Sequence, residues 1–363
     1  MRRLGGLRRG DLLAVALPPG PRWFDVLGDA WDAGAAVFPL DHRLPGPETA
    51  ALLAGARPTA VFDGEDLARP IGGVPAAAAG GAGGEDDGIA LVMASSGSAG
   101  APRLAELTHA AVRASVAASA ARLGATPDDP WLCTLPVAHM GGMLVLLRAV
   151  LQGAPVAVHP GFDVEGFERD TGARFTSLVP TQLGRLLDAG ADLARFRAIV
   201  VGGSRLPPDL AARAAAAGAT IVATYGMTES SGGCVYDGVP LDGVEVRVAP
   251  DGEVLLRGSV VMRGYRLDAT GTAQAFDHPD RWLRTRDAGE VIDGRLRILG
   301  RMDGLIVTGG EQVWPEEVET VLLGHAGIAE AAVAGREDPR WGERVVAFVV
   351  VLSRDLALRR LLG

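Results

Sequence analysis

A short loop rich in serine and glycine carries the clearest chemical potential in the sequence. It runs from Ser95 to Arg103 (SSGSAGAPR) and directly follows the apolar run Ile89 to Ala94. Glycines let the main chain approach a phosphate, serine hydroxyls can donate to its oxygens, and Arg103 can add charge-assisted hydrogen bonds. The loop lacks the G-x-x-x-x-G-K-[ST] spacing of a P-loop. On its own it therefore also fits a flexible turn.

A second stretch, Thr224 to Ser230 (TYGMTES), follows a predicted strand at Thr220 to Ala223. A carboxylate beside hydroxyls at a strand end suits Mg²⁺ held against nucleotide phosphates, because Mg²⁺ prefers one or two carboxylates plus substrate oxygens. Glu229 is that carboxylate, and Tyr225 offers a ring on which an adenine can stack. The alternative interpretation is a helix start, with Thr228 or Ser230 as the capping residue.

A third stretch, Arg284 to Glu290 (RTRDAGE), continues through Gly300 to Asp303 (GRMD) and Gly309 to Pro315 (GGEQVWP). Asp287 can accept hydrogen bonds from both hydroxyls of a ribose, and Arg301 can bind ribose or phosphate oxygens. Taken singly, Asp and Arg in turns are more often solvated residues. The three stretches in this order along one chain are a more specific signal than any one of them alone.

Composition limits the classes of protein to consider. A chain of 363 residues exceeds the usual size of one hydrophobic core, so at least two domains are expected. The formal charge of −9 argues against nucleic acid as a partner, because nucleic-acid binders present a basic face. The apolar run Leu12 to Leu17 is too short for a signal peptide or membrane span. We therefore expect a cytoplasmic protein, with Cys133 and Cys234 as buried thiols.

The elements that must position these residues alternate between strand and helix. Leu12 to Leu17 and Ala35 to Leu40 predict strands around a helix at Trp23 to Ala33, which is a βαβ unit with a parallel sheet. A linker is predicted at Ile71 to Gly88. The same alternation continues, with helices and strands predicted at Val112 to Leu123, Met143 to Leu151, Val156 to Val158, Ile199 to Val201 and Pro208 to Ala217.

The pattern changes to short strands at about residues 240–300. Asp-Gly turns at Asp251–Gly252 and Asp293–Gly294 predict hairpins there, and hence an antiparallel β subdomain. A small C-terminal unit follows, with a helix from Pro315 to Leu323 and a strand at Val345 to Val351. We predict an α/β fold with an N-terminal domain at residues 1–300 and an incomplete C-terminal domain at residues 301–363.

The order and spacing of the three stretches resemble the acyl-adenylate-forming superfamily, which includes acyl-CoA synthetases, luciferases and the adenylation domains of peptide synthetases. The resemblance covers nearly the whole chain. It implies a large N-terminal domain of stacked α/β sheets with a β subdomain, and a small α+β C-terminal domain. It also implies an enzyme that uses ATP, Mg²⁺ and coenzyme A to join a small-molecule carboxylic acid to a thiol through an acyl-adenylate. The resemblance is compatible with either a monomer or an oligomer.

The resemblance carries over to individual positions. It places the ATP phosphates on Ser95, Ser96, Gly97, Ser98 and Gly100. It gives catalytic roles to Arg103, which stands where the family usually has lysine, and to Thr228 and Glu229, with Glu229 as the Mg²⁺ ligand. It assigns the remaining nucleotide contacts to Tyr225, Gly226, Asp287 and Arg301. Asp303 matches a hinge about which the C-terminal domain swings, and Gly309 and Gly310 match the loop along the pantetheine path.

Further stretches are similar to the branch of this family that ligates CoA to o-succinylbenzoate in menaquinone biosynthesis. They are LPVAHMGG at 135–142, LLR at 146–148, SLVPTQ at 177–182 and GGCVYDG at 232–238. By that similarity Arg148 meets the remote carboxylate of the substrate, with Ser177 and Thr181 nearby. His139 is a candidate either for closing the acyl site or for contacting the acyl-adenylate. The alternatives are an exposed helix position for Arg148 and a satisfied core position for His139.

The sequence also departs from the family. All 35 basic residues are arginine, whereas family members carry a lysine near the C-terminus that bridges the substrate carboxylate and the α-phosphate. The tail at 352–360 does not resemble the family's continuation, which predicts a missing part. Losing one such charge costs roughly 10²–10³ in rate, so we expect weak adenylation. Two alternatives stay open: an adenylating enzyme for another acid or a carrier protein, and a catalytically impaired acyl-adenylate-binding protein.

Overall fold

The computed structural model describes residues 4–76, 88–95, 102–325 and 327–351. Four of the predicted phosphate-binding residues, Ser96, Gly97, Ser98 and Gly100, lie outside these ranges, as does the tail at 352–360. Most of the predicted linker, residues 77–87, is likewise outside them. Across the described ranges, no helix is both long enough and apolar enough to cross a membrane.

The described residues form helices and strands that alternate over most of the chain. The helices are α1 Arg22–Asp32, α2 Gly46–Ala56, α3 His109–Leu123, α4 Met140–Gln152, α5 Val164–Arg169, α6 Pro180–Asp188, α7 Pro208–Ala216, α8 Ala269–Ala275 and α9 Pro315–Leu323. The strands up to the middle of the chain are β1 Leu12–Val15, β2 Ala36–Pro39, β3 Ala60–Phe62, β4 Leu67–Ala68, β5 Ile89–Ser95, β6 Arg103–Thr108, β7 Trp131–Cys133, β8 Val156–Val158, β9 Phe175–Leu178, β10 Ala198–Val201 and β11 Ile221–Met227.

The remaining strands include the longest ones of the described chain, and many of them pair with a sequence neighbour. They are β12 Gly232–Tyr236, β13 Val239–Pro240, β14 Val244–Val248, β15 Glu253–Gly258, β16 Gly264–Tyr265, β17 Phe276–Asp277, β18 Trp282–Ile292, β19 Arg295–Arg301, β20 Ile306–Thr308, β21 Glu311–Val313, β22 Ile328–Asp338 and β23 Gly342–Val351. The predicted α/β fold is confirmed, and the predicted helices and strands are present with ends that differ by a few residues.

The chain divides into two compact units. The first contains Met1–Glu245 and Arg257–Leu283, and the second contains Val246–Leu256 and Arg284–Gly363. The predicted domain boundary at residue 300 stays a prediction.

A seven-stranded mixed sheet in the first unit holds the loop from Ser95 to Arg103. Its strand order is β16-β6-β5-β2-β1-β3-β4. β1 and β2 pair in parallel around α1, as the predicted βαβ unit requires. β5 and β6 are antiparallel, and Ser95 lies opposite Arg103. Apolar residues such as Leu12, Phe38 and Val92 form the core against this sheet. The two strands that flank the loop, β5 and β6, are therefore anchored in the fold.

A second seven-stranded sheet in the first unit has the order β13-β12-β11-β10-β9-β7-β8. The five strands from β11 to β8 are parallel, whereas β12 runs antiparallel to β11. One face packs on a core that includes Phe167, Leu183 and Ile199. Because parallel strands end at the same edge of a sheet, the loops after β7, β9, β10 and β11 meet along one edge.

The second unit contains hairpins and a small sheet. β18 pairs with β19 from Asp287–Arg301 to Ile292–Arg295. The turn between them is Asp293–Gly294, and both residues have positive φ, 50° and 74°, as expected of a type I′ turn. β20 to β23 form a four-stranded sheet in the order β21-β20-β23-β22. The predicted Asp-Gly hairpin and the predicted helix from Pro315 to Leu323 are both present.

Two predictions about local structure need correction. The strand expected to end at Ala223 continues to Met227, so Tyr225 and Gly226 belong to β11 and do not follow it. The predicted surface linker needs a smaller correction, because Ile71, Gly72 and Pro75 are exposed as expected but residues 74 and 76 are anchored to the first unit. Val74 donates to the Arg57 carbonyl at 2.8 Å, and Ala76 is 2% exposed and donates to the Gly10 carbonyl. Backbone hydrogen bonds and burial therefore fix this segment, which composition alone did not indicate.

Both cysteines are buried in the first unit, as predicted. Cys133 ends β7 and Cys234 lies in β12, and neither forms a disulfide. Burial removes water from the thiolate form, so the pKa of Cys133 is raised to about 12 and that of Cys234 to about 11. Neither thiol is a nucleophile at neutral pH.

Candidate functional site

Ser95 and Arg103 stand at the two ends of the serine- and glycine-rich loop. The Ser95 side chain is buried, and its hydroxyl lies 3.4 Å from the Arg103 carbonyl. The Arg103 side chain is partly exposed, and its guanidinium carbon lies 5.1 Å from the centre of the Tyr265 ring. A cation at this distance from an aromatic face is attracted to it. The hairpin of β5 and β6 thus holds the Arg103 guanidinium beside the Tyr265 ring.

Glu229 lies in a single 3₁₀ turn, Thr228–Ser230, directly after β11. The Ser230 hydroxyl accepts a hydrogen bond from the Met227 amide at 2.9 Å and donates to the Gly232 carbonyl. The alternative interpretation predicted the start of a helix here. The structure has only this three-residue 3₁₀ turn. Gly226 allows close packing in front of this turn, because a Cβ there would clash with the Gly232 carbonyl.

The carboxylate of Glu229 is 7% exposed and interacts with a tyrosine that sequence reasoning missed. The Tyr265 hydroxyl donates to Glu229 Oε1 at 2.9 Å. Among the described residues, Glu229 Oε2 accepts no hydrogen bond. One oxygen of this buried carboxylate is thus anchored and the other is available to a ligand.

A resident metal site is not evident in the described part of the chain, where no three His, Cys, Asp or Glu side chains gather at one point. A lone buried carboxylate with one unused oxygen fits a different arrangement. Mg²⁺ keeps several waters and binds through one or two carboxylates together with substrate phosphates. Glu229 therefore fits a metal that arrives with a nucleotide.

The other predicted first-unit site residues lie at the carboxyl edge of the second sheet. His139 follows β7 and is exposed at the start of α4, so it is not a core histidine. Ser177 is buried in β9, and Thr181 is exposed in the first turn of α6. Tyr225 is half-buried in β11. Because β7, β9 and β11 are parallel members of one sheet, their ends bring these residues to the same edge.

Arg148 is buried, which excludes the alternative of an exposed helix position. It lies on α4 with 2% of its surface exposed. Its guanidinium carbon is 3.9 Å from the centre of the Trp131 ring, and Nη2 donates to the Ser119 hydroxyl at 2.9 Å. Ser119 in turn shares a 2.7 Å hydrogen bond with the Tyr236 hydroxyl. Residues from α3, α4, β7 and β12 therefore fix the position of this guanidinium.

The charge of Arg148 has no counterion among the described residues. Its Nε and Nη1 atoms are buried and lack any hydrogen-bond partner there. Burial lowers the pKa of the guanidinium, and the neighbouring Tyr236 acts in the opposite direction. Buried charges in proteins are normally paired, because an unpaired one loses its hydration without compensation. The geometry is that of a receptor for an anion, and a planar guanidinium suits a carboxylate.

In the second unit, Asp287 and Arg301 form a pair across β18 and β19. Arg301 Nη1 lies 3.1 Å from Asp287 Oδ1 and also donates to the Thr285 carbonyl at 3.1 Å. Asp287 is 8% exposed. Burial lowers the pKa of Arg301, but the charges of Asp287 and Asp303 outweigh it, and the pKa is raised overall. The pair keeps a carboxylate and a cation in fixed positions on one hairpin.

Glu253 holds the chain that leads to Asp287. It is 3% exposed, and its Oε2 accepts two hydrogen bonds from Arg284, while Oε1 accepts from the Arg286 amide. Thr285 donates to the Val254 carbonyl and accepts from the Asp287 amide. Arg286 has a φ of 59°, which is unfavourable for a residue with a side chain. Glu253 therefore stabilises an irregular backbone immediately before Asp287.

The remaining predicted residues of the second unit are surface residues. Asp303 is exposed in the 3₁₀ turn Met302–Gly304, and its Oδ1 lies 3.3 Å from Arg301 Nε. Gly309 and Gly310 are exposed between β20 and β21, with φ values of 59° and 90°. These positive values explain why glycine occupies both positions. Their roles as hinge and pantetheine loop stay predictions.

Comparison with known proteins agrees with the resemblance found in the motifs. The family model described as AMP-binding enzyme matches residues 1–266. The chain belongs to this family. A model described as AMP-binding enzyme C-terminal domain matches residues 317–361. The tail at 352–360 is thus part of a stretch that resembles the AMP-binding enzymes, contrary to our expectation.

Two relatives of this AMP-binding enzyme carry the name of one branch of the family. A protein of Mycobacterium tuberculosis (strain H37Rv) named probable 2-succinylbenzoate–CoA ligase is 43% identical over 280 residues, which are 73% of this chain and 72% of that protein. The 2-succinylbenzoate–CoA ligase of Salmonella typhimurium is 32% identical over 362 residues, covering 96% of this chain and 78% of that protein.

A solved structure of the same branch has a similar fold. It is o-succinylbenzoate CoA synthetase from Bacillus subtilis in complex with the acyl-adenylate intermediate. Its TM-score is 0.85 at 26% sequence identity, covering 98% of this chain and 81% of that chain. The large N-terminal and smaller C-terminal parts of the fold are therefore shared with this enzyme.

Sequence reasoning missed the partners of the predicted residues in this AMP-binding enzyme. Ser119, Tyr236 and Trp131 surround Arg148, and Tyr265 contacts Glu229, yet none lies near its partner in sequence. A sequence signal exists only for Tyr236, which lies in the stretch at 232–238 that resembles the CoA-ligating branch. The signal does not say which residue the tyrosine contacts.

Proposed function

We propose that this AMP-binding enzyme is an ATP-dependent acid–thiol ligase that converts 2-succinylbenzoate to its CoA thioester in menaquinone biosynthesis. In the first step a carboxylate oxygen of the acid attacks the α-phosphorus of ATP, and pyrophosphate leaves. In the second step the thiolate of CoA attacks the acyl carbon, and AMP leaves. The names of the relatives support this reaction, and the buried Arg148 supports the choice of acid.

The unpaired guanidinium of Arg148 is the observation that carries the substrate assignment. A dicarboxylate acid presents one carboxylate to ATP and has a second one that needs a counterion. Arg148 offers Nε and Nη1 as donors without a partner in the described structure, and a carboxylate can accept a charge-assisted hydrogen bond from either of them. An acid without the second carboxylate would leave the buried charge unpaired. The site therefore favours a diacid over a monoacid.

The other predicted site residues receive roles under this proposal. The loop from Ser95 to Arg103 and Thr228 would bind phosphates, Tyr225 and Gly226 the adenine, and Asp287 with Arg301 the ribose. Glu229 would hold Mg²⁺, which supplies charge compensation for the phosphates when bound. His139, Ser177 and Thr181 would line the acyl site, and Gly309 and Gly310 the path of CoA. We place the enzyme in the cytoplasm, where ATP and CoA are available.

The test measures pyrophosphate release and thioester formation together, with ATP, Mg²⁺, CoA and 2-succinylbenzoate. The parent protein is expected to form both products, although slowly because it lacks the family's lysine. An analogue lacking the second carboxylate should react far less efficiently. Arg148→Lys should raise the KM for 2-succinylbenzoate by about 10–100-fold, because the bidentate contact is lost. The KM for the monoacid analogue should change little.

Arg185→Lys is the matched control, because Arg185 also lies over an aromatic ring, Phe162, but has no part in the proposed site. It should behave like the parent protein. An equal loss of activity toward both acids in Arg148→Lys would contradict the assigned role. Transfer to a carrier protein but not to CoA would support the carrier-protein alternative, and binding of an acyl-adenylate analogue without pyrophosphate release would support the impaired-enzyme alternative.

A further inference from the structure

Tyr265 contacts two residues that the proposed function assigns to the nucleotide. Its hydroxyl donates to Glu229 Oε1 at 2.9 Å, and its ring lies 5.1 Å from the guanidinium carbon of Arg103. These residues come from separate elements, since Arg103 begins β6, Glu229 follows β11 and Tyr265 ends β16. One half-buried side chain thus links the cation and the carboxylate of the phosphate site.

The backbone of Tyr265 is fixed from both sides. β16 pairs with β6, so that Tyr265 lies opposite Ala105. The Arg266 amide donates to the Leu104 carbonyl at 2.7 Å, and the Tyr265 amide donates to the Thr272 hydroxyl at 2.8 Å. Tyr265 is therefore held two residues away from Arg103 in the same sheet, and its side chain starts from a defined point.

The next residue anchors the segment in the core. The Arg266 side chain is fully buried and forms an ion pair with Glu106 at 3.2 Å. It also donates to the carbonyls of Ala56 and Val74. Breaking such a buried pair is costly, so this strand has little freedom to move. On the other side of Tyr265, the Met262 amide donates to the Glu229 carbonyl at 2.8 Å.

We propose that Tyr265 is a positioning residue for the magnesium–nucleotide complex, which it serves by fixing one oxygen of Glu229 and by holding Arg103 against its ring. With Oε1 occupied by the tyrosine hydroxyl, Glu229 would hold Mg²⁺ through Oε2. Arginine rather than lysine at position 103 fits this arrangement, because the planar guanidinium stacks on aromatic rings. This inference rests on the proposed function, since it takes Glu229 as the metal ligand and Arg103 as a phosphate contact.

The test is equilibrium binding of ATP to the full chain at a series of free Mg²⁺ concentrations. Tyr265→Phe removes only the hydroxyl and should raise the half-saturating Mg²⁺ concentration about tenfold, the effect of losing one charge-assisted hydrogen bond. ATP binding without Mg²⁺ should stay within about twofold of the parent. Tyr265→Leu, which also removes the ring, should weaken the metal-free binding as well.

Ser115→Ala is the matched control, because the Ser115 hydroxyl also makes a buried hydrogen bond, to the Ser231 carbonyl, without contacting Glu229. It should leave the Mg²⁺ dependence unchanged. Arg103→Lys combined with Tyr265→Leu should cost less than the sum of the single changes if the two side chains act together. An unchanged Mg²⁺ dependence in Tyr265→Phe, or an equal shift in Ser115→Ala, would overturn the proposal for Tyr265 and leave the proposed function standing. A parent protein that binds no MgATP would overturn the proposed function and this inference with it.

Discussion

At the scale of single residues, the free protein carries a cost at Arg148 that a ligand can remove. A buried guanidinium with two donors unpartnered in the described structure has lost its water and gained only a hydrogen bond to Ser119 and the Trp131 ring. Unsatisfied buried donors cost about 1–3 kcal/mol each, and more when charged. Such a residue is retained for what it binds, because a neutral side chain would pack there at lower cost.

Arg148→Met is expected to separate binding from stability. Methionine is a flexible apolar side chain that can fill much of the same volume. The ligand-free variant should be at least as stable as the parent, with a gain of about 1 kcal/mol in the free energy of unfolding. Urea denaturation of both proteins measures this difference, and the affinity for 2-succinylbenzoate should fall in the same variant.

Arg266→Met provides the contrast, because Arg266 is also buried but has a carboxylate partner, Glu106. Removing it leaves that carboxylate unpaired and should cost about 3–5 kcal/mol. A loss of stability in Arg148→Met as large as that in Arg266→Met would show that Arg148 is a structural residue.

At the scale of elements, the hairpin of β18 and β19 owes its shape to Glu253 on β15. Three hydrogen bonds to Glu253 fix Arg284 and the amide of Arg286. The positive φ at Arg286 costs energy that these bonds offset. The direction in which Asp287 leaves the strand therefore depends on a carboxylate that is not itself assigned to the nucleotide.

Glu253→Ala should weaken ATP binding about tenfold, because the backbone before Asp287 loses its anchor. Equilibrium binding of ATP and of inorganic pyrophosphate distinguishes the cause, since only the former contains the ribose. Pyrophosphate binding should be unchanged. Glu245→Ala removes another glutamate–arginine pair, an exposed one with Arg257, and should have no measurable effect. An equal loss of affinity for ATP and for pyrophosphate would exclude a specific role for Glu253 at the ribose contact.

The same hairpin shows what a sequence can and cannot predict. The Asp-Gly turn at Asp293–Gly294 is a local signal, and helices such as α1 and α7 follow a local periodicity, so these elements were predictable. The contact between Tyr265 and Glu229 joins residues 36 positions apart, and that between Ser119 and Tyr236 joins residues 117 apart. Only the tertiary fold determines such contacts. The motifs therefore supplied candidate residues but not the side chains that orient them.

At the scale of the whole molecule, the chain has an unusual distribution of reactive groups. Its sequence contains 35 basic residues and no lysine, and it contains two cysteines. Both cysteines are buried, with pKa values raised to about 12 and about 11. Guanidinium groups stay protonated and are poor nucleophiles. The side chains of these 363 residues therefore contain no ε-amino group.

An acyl-adenylate should therefore modify this protein very little. Incubation with synthetic 2-succinylbenzoyl-adenylate at a pH of about 9, where a lysine would be partly unprotonated, is expected to give at most one stable adduct, at the α-amino group. Intact mass spectrometry measures this. Arg169→Lys places an amine on a side chain that is 72% exposed and should add a second adduct. Several adducts on the parent protein would contradict the expectation.

The burial of Cys133 and Cys234 thus has a consequence for the fate of the product. An acyl-adenylate is a mixed anhydride that acylates any accessible amine or thiolate it meets. The 363 residues contain no ε-amino group and both thiols are hidden, so few side chains can form a stable adduct with such an electrophile. Under the proposed reaction, the sulfur of CoA therefore meets little competition from the protein for the activated acid, and self-inactivation by the intermediate is limited.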